Sequence, residues 1–209
     1  MKQLIFLIFI LFNYAFAYEF KLNQKDINYI NNSEKKSFIL NRINQYQTLK
    51  IKVKDYELIR KLSHVNSFIN RILPAQDIST SSSIDYWATP KEFLLQGHGD
   101  CEDYAIAKYF SLIKLGIPDD KLRITYVIYK KANSRFEQAH MVLTYYHKTG
   151  AEPVILDNIN RRLELASKRD DLKPVYSFNA SGLWQAKNKG DTRVGDNNLK
   201  SWKNLIGRF

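Results

Sequence analysis

The feature that most constrains the fold is a change in hydrophobic period close to Pro118. Before this residue, apolar side chains recur at helical spacing in residues 26–46, 58–72 and 101–117. After it, they alternate with other side chains in residues 122–128, and shorter apolar segments follow at 140–146 and 154–156. Helices that precede a run of strands predict an α+β fold, in which the helices pack on an antiparallel sheet.

The helix that begins at Cys101 is the most strongly marked element. Asp100 stands at its N-cap position, and Asp103 follows three residues later, as in a capping box. Gly116 and Pro118 mark its end. Its buried face is predicted to comprise Ile106, Tyr109, Phe110, Ile113 and Ile117.

Residues 1–17 have the composition of a secretory signal peptide. Lys2 gives a positive start, residues 4–12 are apolar, and residues 15–17 (AFA) form a small-residue cleavage site. The apolar run is too short to span a bilayer as a helix, and we expect no transmembrane segment after it. We therefore expect an exported protein in which residues 18–209 form one domain, with a core at about 55–184 and a peripheral basic tail at 185–209.

The formal net charge of the chain is +11. Such an excess favours an acidic protein partner, an anionic membrane surface or nucleic acid. The sequence has no basic stripe interleaved with aromatic residues of the kind that stacks on bases. We therefore expect no nucleic-acid partner.

Cys101 is the only cysteine, so the chain forms no internal disulfide. An unpaired thiol is a liability in an oxidising compartment, which favours a chemical role for it. Cys101 also lies on the first turn of a predicted helix, where free backbone N–H groups and the helix dipole favour the thiolate.

His140 and Asp157 supply the other parts of a nucleophilic triad. His140 opens one predicted strand and Asp157 closes another, so adjacent antiparallel strands bring both to one sheet edge. There His140 takes and returns the proton of Cys101, and Asp157 orients the imidazole. Three alternatives stay open: a structural role for His140, a turn role for Asp157, and another base among His64, His98 and His147.

Three carboxylates, Asp100, Glu102 and Asp103, flank the thiol. As helix caps, such residues contribute about 0.5–2 kcal/mol, which is a sufficient structural reason for them. Their negative charge, however, raises the pKa of a neighbouring thiol, and a bound divalent cation removes this conflict. Oxygen ligands in this number suit Ca²⁺ better than Zn²⁺, with Asp77 or Asp85 as a further ligand.

Several motifs resemble those of the bacterial transglutaminase-like cysteine proteinases. They are residues 85–90 (DYWATP), 97–104 (GHGDCEDY), 139–143 (AHMVL), 156–158 (LDN), 167–172 (SKRDDL) and 176–179 (YSFN). The resemblance implies a papain-like, transglutaminase-like fold with Cys101, His140 and Asp157 as the catalytic triad. It also implies dependence on Ca²⁺ through Asp100, Glu102 and Asp103.

The same resemblance implies a biological role. It implies a periplasmic protease that cleaves a large surface adhesin near its N-terminus and thereby releases it from a biofilm. An inner-membrane receptor for cyclic di-GMP is then the expected partner that restrains the protease. Two other functions fit the same residues: a different acyl transfer through a thioester, such as a transglutaminase or amidase reaction, and a non-catalytic binding module.

Overall fold

The computed structural model of the protein describes residues 21–75, 86–187 and 190–209. The predicted signal peptide and the two suggested additional ligands, Asp77 and Asp85, lie outside the described residues. Within those ranges, no helix combines the length and the apolar character that crossing a membrane requires.

The helical elements come first along the chain, as the periodicity predicts. The α-helices are α1 (Gln24–Asn32), α2 (Lys36–Val53), α3 (Leu58–Ile69), α4 (Pro90–Gln96), α5 (Cys101–Lys114) and, near the C-terminus, α6 (Lys200–Ile206). The first segment of helical periodicity, residues 26–46, is divided between α1 and α2; the chain leaves α1 at Ser33, and α2 continues past the segment to Val53. Their apolar side chains Ile30, Ile39 and Ile43 pack with Leu95 of α4 in a small cluster of their own.

Helix α5 is the central helix, and it begins at Cys101 as predicted. Asp100 and Asp103 form the capping box, and the left-handed backbone of Gly116, with φ of 84°, follows its last turn. Nearly every side chain from Glu102 to Leu112 is buried. This helix therefore lies inside the molecule, which explains why its sequence is apolar on most of its circumference.

The sheet is antiparallel, which confirms the α+β prediction. A two-stranded parallel pair comprises β1 (Leu73–Pro74) and β2 (His98–Gly99). The main sheet has seven strands in the order β6-β5-β4-β3-β7-β8-β9. These strands are β3 (Leu122–Lys130), β4 (Glu137–Tyr145), β5 (Val154–Leu156), β6 (Glu164–Leu165), β7 (Leu172–Phe178), β8 (Leu183–Ala186) and β9 (Asp191–Gly195).

Both faces of the sheet bury apolar side chains. Leu122 and Ile124 of β3 lie in the main core with α5, because alternate residues of a strand point to the same face. On the opposite face, Val127, Val142 and Ile155 form a second cluster that spans three strands. The main core thus lies between the helices and the central strands β3 and β4.

Helix α6 belongs to the core, so the prediction of a peripheral tail at 185–209 is wrong for this helix. Trp202 of α6 is 4% exposed and stacks on Phe110 of α5, with ring centroids 5.8 Å apart. It also contacts Phe178 of β7 edge to face. In the sequence, α6 looks peripheral because its two buried side chains, Trp202 and Leu205, stand among lysines and other polar residues.

Candidate active site

Cys101 is held at the start of α5 by contacts on its N-terminal side. The Asp103 carboxylate accepts hydrogen bonds from the backbone N–H of Ala88 at 2.7 Å and of Asp100 at 3.4 Å. A Cβ atom on Gly99 would lie 2.5 Å from Asp103 Oδ2, so this close approach of the chain requires glycine. The loop before the helix therefore packs directly against its first turn.

The thiol of Cys101 is not activated in this arrangement. It donates a hydrogen bond to Glu102 Oε2 at 3.1 Å. Burial raises the pKa of the thiol, and the charge and hydrogen bond of Glu102 raise it further, whereas a backbone hydrogen bond from Met141 opposes them. The sequence-based expectation that the helix N-terminus favours the thiolate is outweighed here by burial and by the carboxylates.

His140 and Asp157 form a buried pair at one end of the sheet. His140 lies in the first half of β4, and Asp157 directly follows β5, which pairs with β4 in antiparallel register. His140 Nε2 lies 2.8 Å from Asp157 Oδ1, and the two side chains are 2% and 0% exposed. Because Nε2 contacts the carboxylate, Nδ1 is the ring nitrogen that can exchange a proton with a nucleophile.

Asp157 has further partners on every side. Its Oδ2 accepts a hydrogen bond from Arg169 Nη2 at 2.7 Å, and its Oδ1 accepts one from the N–H of Ile159 at 3.0 Å. Burial by itself raises the pKa of Asp157, but the hydrogen bonds and charges of His140 and Arg169 hold it well below the usual range. Asp157 is therefore an anion at any physiological pH.

One cavity brings Cys101 and His140 together. It has a volume of about 440 Å³, and both Cys101 and His140 line it, together with Glu102, Asn158 and Ile159. A larger cavity of about 760 Å³ is lined by β3, β4 and β7 residues, but neither Cys101 nor His140 borders it. The smaller cavity is thus the one in which a group could reach both the thiol and the imidazole.

The other histidines lie away from this cavity. His98 is exposed on β2, and His147 is exposed in the turn after β4, beyond the strand end opposite to His140. His64 lies on α3, where its ring contacts Tyr56. Trp87 is 4% exposed and stacks on Phe178, so it is a core residue.

The three carboxylates on the first turn of α5 have different surroundings. Glu102 contacts the thiol, whereas Asp103 binds backbone N–H groups. Across the ranges that the structure describes, no three His, Cys, Asp or Glu side chains converge as metal ligands do. The side chains of Asp100, Glu102 and Asp103 nevertheless end in carboxylate oxygens, the type of ligand atom that Ca²⁺ prefers.

The structure adds three residues to which the sequence assigned no role. Arg169 binds Asp157, and Asn70 Nδ2 donates to the Asp157 carbonyl at 2.7 Å. Lys108 is 1% exposed in the middle of α5, and burial lowers its pKa to about 7, with the charge of Asp157 opposing this. Lys108 could have been noticed as a charged residue inside an apolar helix, and Arg169 as the arginine within residues 167–172.

Comparison with known proteins identifies the family. Residues 22–186 match the family described as "Bacterial transglutaminase-like cysteine proteinase BTLCP". The chain belongs to this family. Three solved structures of LapG from Legionella pneumophila are similar to it over most of their length. EGTA-treated LapG is 41% identical, covers 88% of this chain and 95% of its own, and has a TM-score of 0.73.

A second LapG structure is also 41% identical, covering 88% of this chain and 94% of its own with a TM-score of 0.72. Calcium-bound LapG is 40% identical, covering 88% and 97% respectively, with a TM-score of 0.71. No curated protein sequence matches the chain. These similarities confirm the transglutaminase-like cysteine protease fold that the sequence motifs implied.

Proposed function

We propose that this protein is a calcium-dependent cysteine endopeptidase with Cys101, His140 and Asp157 as its catalytic triad. The observation that carries the proposal is the single cavity that Cys101 and His140 share, together with the buried contact between His140 and Asp157. Membership of a cysteine proteinase family supports the reaction class. The same side chains suit a thioester intermediate, as in other thiol proteases.

Each member of the triad has one task in this mechanism. Cys101 Sγ attacks the scissile carbonyl carbon while its proton passes to His140 Nδ1, and the backbone N–H of Cys101 helps to bind the oxyanion. His140 then gives that proton to the leaving amine, which departs and leaves a thioester. A water molecule, deprotonated by His140, hydrolyses the thioester and restores the thiol. Asp157 keeps the imidazole oriented throughout.

Asp100, Glu102 and Asp103 are the proposed calcium ligands. They fit Ca²⁺ by donor type, and calcium-bound and EGTA-treated forms of the similar LapG protein support calcium binding. When bound, Ca²⁺ would neutralise carboxylate charge close to the thiol. Glu102 is the residue most affected, because its carboxylate both accepts a hydrogen bond from the thiol and raises the pKa of Cys101.

The proposed substrate is a large surface adhesin of the same organism, cut near its N-terminus at a paired-alanine site. We place the protease in the periplasm, after export by residues 1–17. The periplasmic domain of an inner-membrane cyclic di-GMP receptor is the proposed partner that sequesters it. Sequence resemblance supports these three points, and the release of adhesin would promote biofilm dispersal.

Cleavage of the N-terminal region of such an adhesin tests the proposal. Wild type and Cys101→Ala are each incubated with it in Ca²⁺ and in EGTA, and a discrete fragment is expected only from wild type in Ca²⁺. A fragment from Cys101→Ala would contradict the nucleophile, and equal cleavage in EGTA would contradict the calcium requirement. A labelled amine in a parallel reaction separates hydrolysis from transfer, because incorporation without cleavage indicates a transglutaminase.

Localisation and restraint need their own measurement. Periplasmic fractions should contain the chain without residues 1–17, as mass spectrometry can show. The purified receptor domain should lower the cleavage rate in proportion to complex formation. A protein that is retained in the cytoplasm, or that binds the receptor without losing activity, would contradict this part of the proposal.

A further inference from the structure

Arg169 has an unusual position for a cation, because its side chain is only 1% exposed. It lies at the end of a 3-10 turn, Ala166–Lys168, between β6 and β7. Its backbone N–H donates to Ala166 and its carbonyl accepts from Leu172, each at 3.0 Å. The main chain of Arg169 is thus fixed on both sides, and its guanidinium reaches inward to Asp157.

The guanidinium is shared by two carboxylates. Nη2 donates to Asp157 Oδ2 at 2.7 Å and to Asp171 Oδ2 at 2.9 Å, and Nε donates to Asp171 Oδ1 at 2.8 Å. Asp171 is the more exposed partner, with a side chain that is 31% exposed. The two-point contact with Asp171 holds the plane of the guanidinium, and Nη2 then holds Asp157.

Stability alone is a weak reason to bury these groups. Taking a guanidinium and a carboxylate out of water costs about as much as their attraction returns. In addition, Arg169 Nη1 is buried and has no hydrogen-bond partner in the part of the chain that the structure describes. The arrangement is better explained by the position that it gives to Asp157.

We propose that Arg169 is a positioning residue, which fixes the Asp157 carboxylate so that its Oδ1 holds His140 in the tautomer that carries hydrogen on Nε2. This rests on the proposed function of the triad. With Oδ2 bound to Arg169 and Oδ1 also bound to the N–H of Ile159, the carboxylate cannot rotate away from the imidazole. Nδ1 is then the ring nitrogen left for proton exchange with Cys101, which lines the same cavity as His140.

The test compares Arg169→Lys, Arg169→Met and Asp171→Asn with Arg193→Met as the control. Arg193 is the matched arginine because its side chain is 50% exposed and its contacts, with Asp196 and the Ser181 carbonyl, lie at the surface. Arg169→Met should lower kcat about 10–100-fold with KM changed less than about threefold, because a misdirected base acts on the reaction more than on binding. Arg169→Lys keeps the charge without the planar fork and should lie between Met and wild type.

A second measurement does not depend on substrate. Nitrogen NMR of the imidazole rings in a Cys101→Ala background reports the tautomer of His140, which a His140→Asn variant assigns among the four histidines. The background with Arg169 should show hydrogen on Nε2 alone, and Arg169→Met or Asp171→Asn should show mixed tautomers. If Arg169→Met does not fold, Asp171→Asn and Arg169→Lys carry the test.

The outcomes separate this inference from the proposed function. Folded Arg169 variants that keep a single Nε2–H tautomer, or that lose activity only in proportion to their unfolded fraction, would overturn the positioning role. Absence of cleavage by wild type would instead overturn the protease proposal, and the NMR result would still decide how Arg169 acts on His140. An effect of Arg193→Met as large as that of Arg169→Met would also count against the inference.

Discussion

The two halves of the candidate active site differ in how their charges are balanced. Around Asp157, one buried carboxylate is surrounded by donors: His140, Arg169 and the N–H of Ile159. Around Cys101, the half-buried thiol lies beside carboxylates, and it donates a hydrogen bond to one of them. Folding therefore fixes the orientation of His140 but leaves the Cys101 thiol protonated.

This difference indicates where activity can be controlled. The contacts of Asp157 come from α3, β4 and the turn before β7, so they form with the fold itself. The pKa of Cys101 depends instead on Glu102, a neighbouring side chain whose charge a cation can neutralise. We expect substitutions near Asp157 to change activity equally with and without Ca²⁺. We expect the effect of substitutions near Cys101 to depend on whether Ca²⁺ is bound.

The largest expected effect is that of Asp157→Asn. Without the carboxylate, His140 loses the acceptor that selects its tautomer, and kcat should fall by about 10³–10⁴ with little change in KM. Asp170→Asn is the matched control, because Asp170 is exposed next to Arg169. Steady-state cleavage kinetics measure both, and an Asp157→Asn rate close to that of wild type would exclude Asp157 from the triad.

Calcium should act on the stability of the Cys101 half. A ligand that binds only the folded state at about 100 times its Kd stabilises it by about 2.7 kcal/mol. For a domain of this size, the Tm should then rise by about 5–10 °C. Thermal unfolding in Ca²⁺ and in EGTA measures this shift, Mg²⁺ serves as the control ion, and Asp100→Ala should reduce it. The same shift in Asp100→Ala would leave that residue a helix cap.

The sequence predicted those parts of the site that depend on local order. Cys101 at a helix start, and the strand positions of His140 and Asp157, follow from short-range patterns of apolar and capping residues. Arg169 was not assigned because its partner Asp157 is 12 residues away and across a strand connection. A salt bridge of this kind exists only after folding, so the periodicity of apolar residues in the sequence does not predict it.

The same limit explains the two main errors. The sequence analysis did not predict helix α6. Trp202 and Leu205 are core residues only because the fold packs them in one cluster with Phe110 and Phe178, which are distant in sequence. For the thiol, the sequence predicted that the helix dipole lowers the pKa and that the carboxylates raise it. It did not predict burial, the largest cause of the raised pKa, because burial depends on the whole fold. Local rules thus predicted the elements and failed where a property depends on long-range packing.

Lys108, a buried cation that senses the charge of Asp157, sharpens the comparison. Its pKa of about 7 in the folded state is below the value of about 10.4 in an unfolded chain, so the unfolded chain binds more protons between these pH values. The free energy of unfolding should therefore rise by about 2 kcal/mol from about pH 7 to pH 9. Denaturant titrations of wild type and Lys108→Met should show this rise only in wild type.

Lys114→Met is the control for that experiment, because Lys114 is exposed on the last turn of the same helix. It should retain the rise of the wild type. A Lys108→Met protein with the same pH dependence as wild type would mean that Lys108 is solvated, and that only Arg169 and His140 balance the charge of Asp157.

The smallest expected effect concerns Glu102 and tests the Cys101 half directly. Glu102→Gln removes the charge that raises the pKa of the thiol, so more thiolate is present at neutral pH. Alkylation by iodoacetamide in EGTA should be about tenfold faster than in wild type, which corresponds to about one pKa unit. Because Cys101 is the only cysteine, mass spectrometry of the intact protein reports its reaction alone.

Glu92→Gln, on α4, is the control for this experiment and should react at the wild-type rate. In wild type, Ca²⁺ should accelerate alkylation in the same direction, whereas in Glu102→Gln it should have little effect. Equal rates for wild type and Glu102→Gln in EGTA would show that burial alone keeps the thiol protonated, and the two halves would then differ in solvation rather than in charge.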